Sequence, residues 1–95
     1  MSYFINVLTL YGPTPEIQAE TEAILTSNKA VFQRIDNTFF VGTPFKTTGR
    51  KIVDGLTASG HKFTFCHVAI KNGSEIHGNI APEMLSEIKR IFFSK

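Results

Sequence analysis

Thr38-Phe39-Phe40-Val41-Gly42-Thr43 is an apolar strand held between two breaks, the turn Asp36-Asn37 before it and Pro44 after it. A tight turn on one side and a polar, helix-opening stretch on the other place it in the middle of a strand–helix–strand–strand–helix–strand series. Such a series builds one four-stranded antiparallel sheet with two helices on one face, an α+β arrangement.

Upstream, Tyr3 to Leu10 reads as a central strand, with Phe4, Val7, Leu8 and Leu10 apolar on both faces and Asn6 and Thr9 interrupting one of them. Thr14-Pro15-Glu16 opens the first helix: a side-chain cap, a proline suited to the first turn and an acid at the positive end of the dipole. Ile17, Thr21, Ile24 and Leu25 lie along one side, and the helix ends near Asn28. Ala30 to Ile35 is the second strand, turned through Asp36-Asn37, both residues that tolerate positive φ.

Downstream, Ile52, Val53 and Leu56 form the apolar patch of a second helix. Thr47 or Thr48 is its expected cap, and Gly60 its stop. Gly49 and Gly55 weaken it by about 1 kcal/mol each relative to Ala. His61 to Ile70 alternates as a fourth strand: Phe63, Phe65, His67 and Ala69 on one face, Thr64, Cys66, Val68 and Ile70 on the other. Asn72-Gly73 is a hairpin signal that should return a short strand over Ser74 to His77. A helix from Pro82 to Phe93 closes the chain, with the stripe Leu85, Ile88 and Phe92.

Ninety-five residues make one domain, residues 1–95, and a core that hides only roughly 60–70% of the unfolded surface. Nine Phe and two Tyr in a chain without Trp supply that core. The one cysteine, Cys66, makes no internal disulfide and reads as a small buried hydrophobe. Met1-Ser2-Tyr3-Phe4 has no basic start or cleavage site, and no apolar run approaches the ~20 residues of a membrane span. A cytoplasmic protein without a membrane partner is the expectation.

The net charge of +2 is uneven. Residues 1–28 carry Glu16, Glu20 and Glu22 and no base. Residues 29–73 carry Lys29, Arg34, Lys46, Arg50, Lys51, Lys62 and Lys71 against Asp36 and Asp54. This basic middle can attract phosphate backbones or be a solvated face, and Lys46, Arg50, Lys51, Lys62 and Lys71 are the candidate nucleic-acid contacts.

No residue pattern demands catalysis. With a turn at Asn72-Gly73, His77 would oppose Val68 and His67 would face away, which disfavours a shared metal between them. No carboxylate pair has acid–base or metal spacing, and no phosphate-binding glycine loop is present. No metal and no cofactor is implied.

The succession from Phe32 through Ile70, with Ile35-Asp36-Asn37-Thr38-Phe39-Phe40-Val41 followed by Thr43-Pro44, resembles small bacterial proteins of the CRISPR-associated integration-subunit superfamily. These include VapD-like and GhoS-like toxin–antitoxin proteins and SinR-like relatives. Gly78-Asn79-Ile80-Ala81-Pro82 and the final helix look like the tails of those relatives. The resemblance implies a ferredoxin-like fold, dimers through the last strands and an association with nucleic acid. Nuclease members tend to carry an aspartate at the end of the first strand, where this chain has Leu8-Thr9-Leu10-Tyr11-Gly12, so no catalytic residue is carried over.

The leading reading is a dimeric, non-catalytic module that binds RNA, DNA or a protein partner. Its homodimer interface would use Phe63, Phe65, His67 and Ile70, with Phe63 and Phe65 as aromatics on an exposed edge. The alternatives are an endoribonuclease acting on single-stranded RNA, drawing on Tyr11, Arg34, Asp36 and His67, and a protein-directed inhibitor.

Overall fold

A computed structural model describes residues 3–71 and 73–93. The elements are β1 (Phe4–Leu10), α1 (Pro15–Ser27), β2 (Val31–Ile35), β3 (Thr38–Thr43), α2 (Lys46–Ala58), β4 (Phe63–Val68) and α3 (Pro82–Phe92). The four strands form one antiparallel sheet in the order β2-β3-β1-β4, so β2 and β4 are its edges.

Register decides which side chains meet. Leu8 stands between Phe39 of β3 and Phe65 of β4, and Asn6 between Val41 and His67. That face receives Leu25 from α1 and Ile52 and Leu56 from α2, which close a core with Leu8, Leu10, Ala30, Phe39 and Val41. Burying each large aliphatic or Phe side chain stabilises by about 1.5–3 kcal/mol. Asn6 and Thr9 are three residues apart and therefore lie on opposite faces, not together: Asn6 is buried beneath α2, and Thr9 bonds Thr38 on the other side at 3.2 Å.

α1 starts as its sequence dictates, with Thr14 Oγ1 accepting the Ile17 N–H at 3.2 Å and Pro15 in the first turn. It ends in a Schellman motif: Ala30 N–H reaches Leu25 O and Lys29 N–H reaches Thr26 O, both at 3.0 Å. Lys29 takes the left-handed φ of 60° that this motif usually gives to glycine. The β2–β3 turn is the two-residue Asp36-Asn37 connection, with Asp36 at φ 53° and Ile35 opposite Thr38.

Neither Thr47 nor Thr48 caps α2; the helix begins earlier, at Lys46, with Phe45 at the cap position and no side-chain acceptor. Packing extends it: a Cβ on Gly49 would stand 3.3 Å from the Phe65 ring, so the missing side chain lets α2 settle onto β4. Phe63 and Phe65, on the edge strand β4, are half-buried against the core.

The return strand over Ser74–His77 does not form, and Asn72 lies outside the described residues. Lys71 and Ser74 close a turn through Ser74 N–H to Lys71 O at 3.0 Å and Lys71 N–H to Ser74 Oγ at 3.1 Å. The chain then carries Ile76 and Ile80 to the second face of the sheet, where they line a cavity with Phe40, Leu85 and Ile88; Ile76 is half-buried there and Ile80 stays exposed. His77 consequently bonds exposed Glu75 at 2.9 Å instead of opposing Val68.

On that second face α3 lies over β2 and β3. Ile88 and Ile91 are buried, and Phe92 meets Phe40 edge-on with centroids 5.8 Å apart. The helix leaves the second-face residues Thr64 and Cys66 of β4 exposed. Cys66 is thus a surface thiol and not a core residue. Among the described residues no helix is long and apolar enough to cross a membrane.

Candidate functional site

α2 is the element that carries most bases, Lys46, Arg50 and Lys51. Gly49 marks the side turned to β4. Lys46, one turn earlier, shares that flank, and exposed Arg50 stands next to it on the outer side, 3.3 Å from Asp54. Lys51 turns the other way. It lines a recess with Lys29, Thr48 and Phe45 between the end of α1 and the start of α2. No acid occupies the first turn of α2 to offset these bases.

The five sequence candidates therefore do not form one patch. Lys46 and Arg50 share the β4 flank, and Lys51 serves the α1 flank. Lys62 sits at the foot of β4, where its carbonyl accepts the Tyr11 N–H at 2.9 Å. Lys71 lies beyond the head of β4, about 20 Å of strand away. Lys71 borders a cleft of about 550 Å³ with Tyr3, Phe4, His67, Ile70 and Phe93.

At that cleft Asn6 orients His67. Asn6 Nδ2 donates to Phe4 O at 3.2 Å, which leaves Oδ1 as the acceptor facing His67 Nδ1 at 3.4 Å. In its neutral form the ring then keeps its Nε2 lone pair outward. The ring of Phe4 is 6.4 Å from the His67 ring, centroid to centroid.

The ribonuclease candidates stay apart. Tyr11 OH bonds Thr64 Oγ1 at 3.1 Å, and Arg34 sits 3.8 Å from Glu22 and 3.5 Å from Asp36 O, all near the hairpin end of the sheet. His67 is near the opposite end, about 17 Å of strand from Tyr11. Among the described residues no cluster of three or more His, Cys, Asp or Glu is placed to hold a metal.

Sequence reasoning missed His61, which precedes β4 and turns its ring inward. Its Nε2 is buried without a hydrogen bond, with Glu20 Oε1 at 3.7 Å, inside ion-pair range but too long for a hydrogen bond. It also missed that Lys29 and Thr48 line one recess, Lys29 from the Schellman turn of α1 and Thr48 from the first turn of α2. No family model, curated protein or solved structure matches this chain.

Proposed function

We propose that this chain is a small, non-catalytic interaction module that self-associates and binds nucleic acid in the cytoplasm. The order β2-β3-β1-β4, with α1 and α2 on one face, supports a ferredoxin-like arrangement, and with it a place beside the CRISPR-associated and toxin–antitoxin proteins the sequence resembles.

The observation that carries the reading is the first half of α2. Lys46, Arg50 and Lys51 are all exposed there, with Asp54 as the one acid in the helix. Three phosphate contacts on a single strand give a slope of about −2 in log affinity against log salt. Self-association rests on the outer side of β4, an edge strand that among the described residues pairs with β1 alone.

The test is anisotropy of labelled single-stranded RNA and DNA between about 50 and about 200 mM salt. The expected result is an affinity that falls steeply with salt, is unchanged by chelator and is accompanied by no cleavage. A flat salt response removes the electrostatic argument, and chelator-sensitive cleavage of the RNA replaces this reading with the nuclease one. Light scattering that finds a monomer at high micromolar concentration removes the dimer.

A further inference from the structure

We propose that the recess between the end of α1 and the start of α2 is a seat for the phosphoryl group of a nucleotide. Four independent features meet there.

The start of α2 is open. Phe45 contributes no side-chain cap, and the N–H groups of Lys46 and Thr47 have no hydrogen-bond partner among the described residues, as at any uncapped helix start. Those donors, with the positive end of the helix dipole, favour an anion.

The charge pattern is the reverse of what such a start usually carries. A helix stabilises its first turn with acids, yet this one begins Lys46-Thr47-Thr48-Gly49-Arg50-Lys51 without any. Lys51 and Lys29 both line the recess, one from each helix junction, and both put positive charge on it.

Thr48 points to a ligand directly. It is 6% exposed, lines the recess, and its hydroxyl makes no hydrogen bond among the described residues. The one fully enclosed unpaired side-chain atom among those residues is His61 Nε2, so the Thr48 hydroxyl keeps its residual surface, which opens into the recess. That surface is open to solvent, so an anion seated in the recess would replace water as the partner of this hydroxyl.

Size and the last wall choose the ligand. At about 230 Å³ the recess falls short of the roughly 300–1,000 Å³ of ordinary small-molecule pockets, and it suits a single phosphoryl group. Phe45, 68% exposed, forms its rim and offers a face on which a base can stack. The choice of a nucleotide as the bearer of the phosphate rests on the nucleic-acid reading above; the anion seat itself does not.

The test follows backbone amides of the whole protein by NMR during titration with inorganic phosphate, and separately with adenosine 5′-monophosphate. Both probes are expected to shift Lys46 and Thr47 saturably, the nucleotide at lower concentration. Thr48→Val, which keeps the shape and removes the hydroxyl, is expected to raise the half-saturating concentration about tenfold. Lys51→Gln, at an exposed position that folding does not need, is expected to raise it as well. Absence of a saturable shift, or shifts that ignore both variants, overturns the seat. A nucleotide response no tighter than that of phosphate overturns the nucleotide assignment while leaving salt-dependent RNA binding to be judged separately.

Discussion

Ile91 Cγ2 stands 3.0 Å from the place that a Cβ on Gly42 would occupy, with Tyr3 Cβ and Cγ at 2.9 Å on the other side. Gly42 is therefore the point at which α3 and the start of β1 close down on the second face of the sheet. Gly42→Ala forces one of them away, at a cost of about 1–3 kcal/mol. Urea unfolding should show a lower midpoint with little change in slope. Combined with Ile91→Ala, the loss should be less than additive, because the second change removes one of the clashing methyls.

Lys29 supplies a stability prediction of the opposite sign. It holds the left-handed position of the α1 Schellman turn at φ 60°, a conformation that costs an L-residue about 1–2 kcal/mol. Lys29→Gly relieves this and should raise the melting temperature. If the recess beside it seats an anion, the same variant should bind phosphate more weakly. A glycine variant that melts lower than the parent would contradict the reading of this turn.

Local chemistry made much of the chain legible. Thr14-Pro15-Glu16, the Asp36-Asn37 turn and the alternation of Phe63, Phe65 and His67 each dictate their geometry within a few residues, and the structure follows them. What escaped depends on distant partners. Gly49 looks like a helix breaker until Phe65 is seen filling its missing side chain, and Asn72-Gly73 announces a hairpin, yet the chain after it runs to the second face, where Ile76 and Ile80 line a cavity beside Leu85 and Ile88 of α3. Cys66 has the profile of a core residue but falls on the part of the second face that α3 leaves exposed. For the candidate site, the bases were visible as a run, and their division between two flanks of α2 was not. Lys51 and Arg50 are neighbours in sequence and turn to different sides of one helix.

Glu87 and Arg90 give a pH dependence whose sign is fixed. Arg90 donates through Nε to Glu87 Oε2 at 3.0 Å and through its second nitrogen to Oε1, so the guanidinium holds the Glu87 carboxyl below its ordinary 4.5 and is itself pushed up. A carboxylate with a depressed folded-state value contributes stability above its unfolded value and loses it as pH falls through the folded one. Glu87→Gln should therefore melt below the parent at neutral pH, and the difference should close as pH falls through the depressed folded-state value. The pair is exposed, so the effect is small and shrinks with added salt. A difference that stayed constant across this range would assign it to packing.

Cys66 tests both the open half of the sheet and the use of β4 as an interface. Its thiol is exposed on the face that α3 leaves bare, opposite Val7 of β1. In dilute solution a thiol reagent should consume one equivalent in the native protein, at a rate near that of the unfolded chain. Antiparallel pairing of β4 with a second copy would bring another strand within about 5 Å of it. Labelling should then slow as protein concentration rises into the high micromolar range. A rate independent of concentration would take β4 out of the interface, and a native protein that does not react would mean that the second face is covered over β4 as well.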